Sequence, residues 1–222
     1  MSDIAVIGGT DRQGLGLALR WATAGFDVTI GSRDGDRARA VAAEARARLE
    51  ALRRAARLGA ASNTDAAGSS PIVVLCVPAL AQADILLSIK PYVPDATLLI
   101  DVTVPLGLRG GRLLGLPAGS AAQQAAELAP SATRVVAAFH LIAAPALHDL
   151  TRPIDCDTIV CGDAPESRER VRLLAEAIPR VRYIDGGPLY NARLVEAGAA
   201  LLVGLGGRYK ARRAGLRVTG LP

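Results

Sequence analysis

Residues 4–16 read IAVIGGTDRQGLG, and this stretch decides the fold. Residues 4–7 form a short apolar run that predicts a buried strand, which the glycines at 8–9 end. Residues 15–24 are typical of a helix, and Gly25 stands at its C-terminal glycine position. A strand, a glycine-rich turn and a helix in this order form the context in which a dinucleotide-binding loop works.

The glycine pattern of this loop departs from the usual G-x-G-x-x-G at its second position. The frame is Gly9, Thr10, Asp11, Arg12, Gln13 and Gly14, so the first and third glycines are present. Asp11 stands where a second glycine lets the backbone approach a pyrophosphate closely. Two interpretations are open: a modified but working nucleotide site, or a glycine-rich turn that binds no ligand.

The end of the second predicted strand, residues 27–30, indicates which dinucleotide fits. NAD-binding folds usually place Asp or Glu here to bind the adenosine ribose hydroxyls. This chain instead has Ser32 and Arg33, with Arg37 one turn into the following helix. A hydroxyl and two guanidinium groups bind a 2′-phosphate by charge-assisted hydrogen bonds, which predicts NADP(H). The alternative is an ordinary helix cap flanked by solvated arginines.

The rest of the chain continues the alternation of strands and helices. We predict a long helix over 36–58 and further strands at 72–77, 97–101, 134–139, 157–162 and 181–185, with helices at 80–88, from 121, over 165–178 and from 192, and a Gly- and Pro-bearing loop at 104–120. This order predicts an α/β fold with a Rossmann-type doubly wound parallel sheet. The expected division is an NADP-binding domain, 1–145, and a smaller C-terminal α/β domain, 146–222, with a soft boundary.

Composition limits the classes of partner. Half of the residues are apolar and only 3% are aromatic, and the net charge is +5, which suggests small anionic partners. The chain has few aromatic residues to stack on bases and no nucleic-acid-binding motif, so we expect no nucleic acid partner. Cys76, Cys156 and Cys161 lack paired metal-ligand spacing, which predicts buried reduced thiols and no metal site. With no signal peptide and no apolar run long enough for a bilayer, we expect a cytoplasmic protein that does not contact membranes.

Several longer stretches carry a family resemblance. They are IGSRDGDRA at 30–38, VVLCVP at 73–78, AAFHLIAAPAL at 137–147, CDTIVCGD at 156–163, and the block from 184 to 221 that begins IDGGPLYNARLVEAG. Together with the opening loop, they resemble the NADP oxidoreductases that transfer hydride to or from the deazaflavin coenzyme F-420. The resemblance implies a homodimer in which the deazaflavin lies in a cleft beside the nicotinamide.

The same resemblance implies roles for individual residues. Thr10, Asp11, Arg12 and Gln13 would face the pyrophosphate; Ser32, Arg33 and Arg37 would bind the 2′-phosphate; Val77, Pro78 and Val104 would line the nicotinamide edge; and His140, Leu141, Ile142 and Ala144 would form a shelf between the two rings. His140 would position the rings, and the reaction would need no acid–base residue. From its sequence position, at the end of an apolar strand, His140 is either a cofactor contact or a satisfied histidine beneath a loop.

A basic run near the C-terminus is the last candidate. GRYKARRAGLR at 207–217 contains Arg212 and Arg213 among its cations and no acidic residue. We expect it to bind the anionic tail of the deazaflavin, unless it is only a solvated basic surface. The leading prediction is hydride transfer between NADP(H) and coenzyme F-420. The alternatives are an NADPH-dependent reductase of a flavin or ferric chelate, and a non-catalytic NADP-binding protein.

Overall fold

A single eight-stranded sheet organises the protein. The computed structural model describes residues 3–107 and 112–221. Its strands are β1 (Ile4–Ile7), β2 (Asp27–Ser32), β3 (Arg57–Ser62), β4 (Ile72–Leu75), β5 (Leu98–Asp101), β6 (Arg134–Ala137), β7 (Cys156–Gly162) and β8 (Val181–Asp185). They lie in the order β3-β2-β1-β4-β5-β6-β7-β8, and each neighbouring pair is parallel apart from β6 and β7. The predicted α/β fold is confirmed, with one antiparallel pair.

Helices follow most of the strands. They are α1 (Arg12–Thr23), α2 (Gly35–Ala51), α3 (Asn63–Gly68), α4 (Ala79–Ile89), α5 (Ala121–Leu128), α6 (Ala144–His148), α7 (Pro165–Glu176) and α8 (Ala192–Arg208), with short 3-10 turns at Lys90–Tyr92 and Leu189–Asn191. Among the described residues, every helix is either too short or too polar to cross a lipid bilayer.

The alternation of side chains along β1 explains why both faces of the sheet are covered. Ile4 and Val6 are buried in one apolar core with Trp21 of α1. Ala5 and Ile7 point to the opposite face and join a second core that includes Leu86 of α4. Successive residues of a strand face opposite sides, so a wholly apolar strand requires helices on both.

The strand order reverses between β1 and β4. From β1 the chain winds outward through β2 to β3, and then returns to place β4 on the other side of β1. In open α/β sheets, ligands bind in the crevice outside the carboxyl ends of the strands at such a switch point. The fold therefore puts the glycine loop after β1 and the segment after β4 on the two sides of one crevice.

The sequence-based helix over 36–58 was right as far as Ala51 and wrong beyond it. Helix α2 ends at Ala51, Arg53 adopts a positive φ of 53°, and β3 begins at Arg57. The strand's sequence, RLGAAS, lacks the β-branched and aromatic residues that favour strands, so it was indistinguishable from the preceding Ala- and Arg-rich helix. It is held as an edge strand by parallel pairing with β2 over its whole length. The predicted third strand, 72–77, is consequently the fourth.

Three further predictions concern the domain division, the loop at 104–120 and the start of α1. Strands β7 and β8 extend the same sheet, and the division into domains 1–145 and 146–222 stays a prediction. The predicted loop at 104–120 includes residues 108–111, which lie outside the described residues. Helix α1 begins at Arg12, three residues before the predicted start, because Gly14 and Gly16 lower the helical signal of its first turns.

Candidate functional site

The glycine loop between β1 and α1 is shaped by close backbone contacts. Gly8 has a φ of +78°, and a Cβ there would lie 2.3 Å from the carbonyl oxygen of Cys76. A Cβ on Gly14 would lie 2.8 Å from the carbonyl oxygen of Gly8. Gly9 donates its N–H toward the carbonyls of Val6 and Gly31, which ties the loop to the end of β2. The loop is thus a tight cradle that side chains would fill.

Asp11 occupies the N-cap position of α1, but it does not act as a cap. Its side chain accepts no hydrogen bond from the first turn of the helix. The N–H groups at the helix N-terminus therefore remain available to an anion, which the helix dipole also favours. The Asp11 carboxylate pairs instead with Arg37.

The three predicted 2′-phosphate residues lie together at the end of β2. Ser32 is buried, and its hydroxyl accepts the N–H of Asp34. Asp34 caps α2 by accepting the N–H groups of Asp36 and Arg37, so the backbone here is fixed. Arg33 is exposed, and within 3–107 and 112–221 it forms no ion pair. A cation without an acidic partner beside a capped helix is available for a phosphate.

A cavity of about 620 Å³ opens beside the glycine loop at the carboxyl ends of β4 and β5. Its walls come from the glycine loop, from the residues that follow β4, β5 and β6, from α8 and from residues 211–214. Of the predicted residues, the cavity brings together Asp11, Arg12, Gln13, Val77, Pro78, Val104, His140, Leu141, Ile142, Ala144 and Arg212. Its lining does not include Gly9, Thr10, Gly14, Ser32, Arg33, Arg37 or Arg213. The size and the largely apolar walls suit aromatic rings.

Gln13 holds two walls of the cavity together. Its Nε2 donates to the carbonyl of Ile142 at 3.0 Å and to that of Phe139 at 3.3 Å. Phe139 has a φ of +65°, so the chain turns sharply between β6 and the 140–144 segment. The Gln13 amide, predicted to face a pyrophosphate, therefore fixes this turn against the glycine loop.

Two carboxyl groups beside the cavity were not among the predicted site residues. Asp101 ends β5 and Glu196 lies in the first turns of α8, and both are almost completely buried. Burial, reinforced by the charge of Glu196, raises the pKa of Asp101 to about 8. Burial likewise raises the pKa of Glu196 to about 7. The available sequence signal was an acidic residue at the end of an apolar strand and another within an apolar helix.

His140 lies between these carboxyl groups and the cavity. Its ring is 7% exposed, and burial lowers its pKa to about 4. One side-chain atom from each of Asp101, His140 and Glu196 lies within 4.8 Å of the others, a spacing that would also admit a metal ion. Among the described residues, neither ring nitrogen has a hydrogen-bond partner. The role of His140 as a cofactor contact stays a prediction.

The C-terminal basic run is divided by the fold. Arg213 pairs with Asp149 at 2.5 Å, and Arg217 pairs with Asp157 at 3.1 Å. Arg212 lines the cavity instead, next to Ala211. The acidic partners come from distant parts of the sequence, so the absence of acids within the run did not mean that its charges are free.

Comparisons with known proteins agree with this geometry. The family model described as "NADP oxidoreductase coenzyme F420-dependent" matches residues 3–105. The chain is 47% identical to the F420-dependent NADP reductase of Methanothermobacter thermautotrophicus, across 99% of this chain and 95% of that one. It is 36% identical to the enzyme of the same name from Methanocaldococcus jannaschii, across 98% of both chains.

Solved structures show the same fold. A crystal structure from Arthrobacter, described as an F420-dependent NADP reductase, superposes with a TM-score of 0.77 at 22% identity, covering 99% of this chain and all of that one. Pyrroline-5-carboxylate reductase from Coxiella burnetii superposes with a TM-score of 0.62 at 14% identity, covering 94% of this chain and 66% of that one. The near-complete match to the two archaeal relatives is the decisive finding, and this chain belongs to the family of F420-dependent NADP reductases.

Proposed function

We propose that the protein transfers hydride between NADP(H) and the deazaflavin coenzyme F-420. The observation that carries the proposal is the cavity of about 620 Å³, which joins the glycine loop, the 140–144 segment and Arg212 in one space. The two substrates supply the redox chemistry, because hydride passes directly from one ring to the other. The protein has to hold the rings in contact and exclude water.

The donor half of the site fits a dinucleotide phosphate. Gly8 and Gly14 let the loop pack closely against Cys76 and against itself, and the N-terminus of α1 beside it would bind the pyrophosphate. Ser32, Arg33 and Arg37 would bind the 2′-phosphate, since no acidic side chain takes the position that would select NAD. The Asp11 charge opposes the pyrophosphate, and its pairing with Arg37 reduces that opposition.

The acceptor half of the site has apolar walls, and Arg212 is a basic residue in its lining. Val77, Pro78 and Val104 would contact the nicotinamide edge, and the segment from His140 to Ala144 would lie against both rings and orient them. Arg212 would meet the anionic tail of the deazaflavin. Arg213 and Asp149 form an ion pair, so we assign Arg213 the weaker part in tail binding.

The direct test is a reduction assay with NADPH. We expect rapid bleaching of the deazaflavin absorbance with NADPH and slow bleaching with NADH. FMN, FAD and a ferric chelate serve as competing acceptors under the same conditions. Faster reduction of any of these would contradict the proposed acceptor, and the absence of NADPH binding by calorimetry would contradict catalysis altogether.

We also propose that the protein is a cytoplasmic homodimer. Helix α8 exposes Leu194, Leu201 and Val203, with relative exposures of 67%, 63% and 55%, and burial of such residues favours association of a second copy. The cysteines are free and buried, as is typical of a reducing compartment. Sedimentation equilibrium tests the assembly: Leu201→Glu should yield a monomer if α8 forms the interface, and a monomeric parent protein would contradict it.

A further inference from the structure

Three buried titratable side chains meet behind the ring pocket. Asp101 comes from the end of β5, His140 from the segment after β6, and Glu196 from α8. Their relative exposures are 0%, 7% and 1%, and their side-chain atoms lie within 4.8 Å of one another. Only His140 also lines the cavity. We call these three residues the buried triad.

The hydrogen bonds around the buried triad leave a gap at its centre. Asp101 Oδ1 accepts from Gln82 Nε2 at 2.9 Å, but Asp101 Oδ2 has no partner among the described residues. Neither ring nitrogen of His140 has one there either. The Thr103 backbone raises the pKa of His140, and the Thr103 hydroxyl and backbone lower that of Asp101, so Thr103 borders this gap. Buried polar atoms are rarely left unsatisfied, so unpaired atoms of Asp101 and His140 in one cluster are suited to share a proton, directly or through one water.

Glu196 is held differently from the other two. Its carboxylate accepts the backbone N–H of Ala121 at 2.9 Å and that of Ala122 at 3.1 Å, in the first turn of α5. These bonds favour the charged form and occupy both oxygens. They also place the carboxylate at the positive end of a helix, which makes the triad a poor cation site. Burial nevertheless raises the pKa of Glu196 to about 7, so it is the negative charge of the triad above that pH.

Above pH 7, where Glu196 is mostly ionised, one proton remains on the other two members. Burial and the neighbouring Glu196 raise the pKa of Asp101, while burial lowers the pKa of His140, so the proton lies on the Asp101 carboxyl group. The other titratable groups in range are two thiols, Cys76 near Asp101 and Cys161 near Glu196. Burial raises the pKa of both thiols, so both stay protonated and neutral.

We propose that Asp101 and His140 hold the proton that accompanies hydride transfer, and that Glu196 positions it. The proposal rests on the proposed function, because reducing a deazaflavin consumes one hydride, here from NADPH, and one proton. The Asp101 O–H bond breaks as one ring nitrogen of His140 takes the proton, directly or across one water. The other ring nitrogen gives its own proton to the deazaflavin ring that accepts the hydride. After the products leave, a solvent proton returns to that nitrogen and His140 passes the proton on its other nitrogen back to Asp101. The triad itself undergoes no redox change.

The two histidines of the chain make a direct test possible. We would record the imidazole NMR signals of His140 and His148 in the substrate-free protein from pH 6 to 9, assigning them with His148→Gln. The expected result is a shift of the His140 signal with a midpoint between pH 7 and 9, reporting the loss of the Asp101 proton. Asp101→Asn keeps the size and an oxygen for Gln82, and it should abolish that shift. Glu127→Gln, which removes an exposed carboxylate from α5, should leave it intact.

A flat His140 signal in the parent protein, or a shift that survives Asp101→Asn, would overturn the proposal. The first of these outcomes needs no variant, so the proposal stays testable if Asp101→Asn does not fold. Neither measurement uses deazaflavin, so failure of the proposed function would be seen separately, as an absence of reduction in the assay.

Kinetics then separate a proton-holding role from a structural one. In the parent protein, the single-turnover rate of deazaflavin reduction should fall about tenfold per pH unit above pH 8. Asp101→Asn should lower that rate at pH 7 by about a hundredfold, as removal of a proton donor commonly does, and flatten the profile. The Michaelis constant for NADPH should not change. An unaltered profile in Asp101→Asn would show that the proton does not come from the triad.

Discussion

Arg37 Nη2, at the start of α2, lies 3.8 Å from Asp11 Oδ1, at the N-terminal end of α1. The pair connects the unusual residue of the glycine loop to a predicted 2′-phosphate ligand. Both side chains are more than half exposed, and exposed ion pairs of this kind stabilise a protein by about 0–1 kcal/mol. A phosphate carries more charge than one carboxylate, so NADP should displace Asp11 from Arg37 at little cost.

The first prediction is that Asp11→Gly tightens NADP binding. The change removes a negative charge near the pyrophosphate site and frees Arg37, and no capping hydrogen bond is lost. We expect the dissociation constant, measured by calorimetry, to fall about threefold to tenfold, which corresponds to roughly 1 kcal/mol for an exposed charge. Asp11→Asn is the matched control for charge alone. Weaker binding by both variants would mean that Asp11 orders Arg37 for the ligand.

The second prediction concerns the choice between NADP and NAD. Arg33→Ala should weaken NADP binding by about tenfold to a hundredfold, because a lost charged hydrogen bond costs about 1.5–3 kcal/mol. NAD lacks the 2′-phosphate, so its affinity should change little. Arg39→Ala is the control, since Arg39 is exposed on α2, the helix that follows Arg33, and pairs with Asp36. Equal losses for both dinucleotides would exclude a 2′-phosphate site at Arg33.

The elements that could be predicted are those in which the pattern of apolar residues shows which faces are buried. β1 and β4 are unbroken apolar runs because helices cover both of their faces, and each was found from that pattern. β3 could not be found, since Gly59, Ala60 and Ala61 carry little apolar signal. Its existence depends on hydrogen bonds to β2, and these are a tertiary property.

The residues of the candidate site likewise fall into those that the sequence could indicate and those that it could not. The glycine loop and the 140–144 segment are continuous stretches, so a resemblance to a family could locate them. Asp101, His140 and Glu196 come from three separate parts of the chain and become neighbours only in the folded protein. No local sequence pattern indicates that these side chains are close together. The pairing of Arg213 with Asp149 was hidden for the same reason.

The third prediction separates two adjacent arginines of the basic run. Arg212→Ala should raise the Michaelis constant for the deazaflavin, because Arg212 lines the cavity and is available to the anionic tail. The increase should be largest at low salt and shrink as salt rises, since exposed charges are screened over roughly 10 Å at 0.1 M.

Arg213→Ala is its matched control. Arg213 already pairs with Asp149, so it is not free to bind the tail. Removing its side chain should leave the Michaelis constant for the deazaflavin nearly unchanged. Steady-state kinetics at several salt concentrations would measure both variants, with turnover number as the second readout. Identical behaviour of the two variants would show that tail binding does not distinguish these residues.

The last prediction links the buried triad to the stability of the fold. The pKa of Asp101 is raised to about 8 from an ordinary value of 3.8. Between these values the folded protein retains a proton that the unfolded chain releases, so stability falls as pH rises through the folded pKa. The pKa of His140 is lowered from 6.5 to about 4, so its contribution has the opposite sign and is lost as pH falls below 6.5. Above pH 6.5, the slope therefore comes from the carboxyl groups of the triad.

Asp101→Asn should remove most of that slope. Each pKa unit corresponds to about 1.4 kcal/mol, so the free energy of unfolding of the parent should fall by about 2 kcal/mol more than that of the variant between pH 6.5 and 8. Urea unfolding at pH 6.5, 7.3 and 8 measures the difference, with Glu127→Gln as a control that keeps the slope of the parent. Glu196 contributes in the same direction up to its pKa of about 7, so the interval from pH 7.3 to 8 reports mainly on Asp101. Parallel curves for the parent and Asp101→Asn would mean that Asp101 is already ionised in the folded protein, and the triad would then hold no proton to exchange.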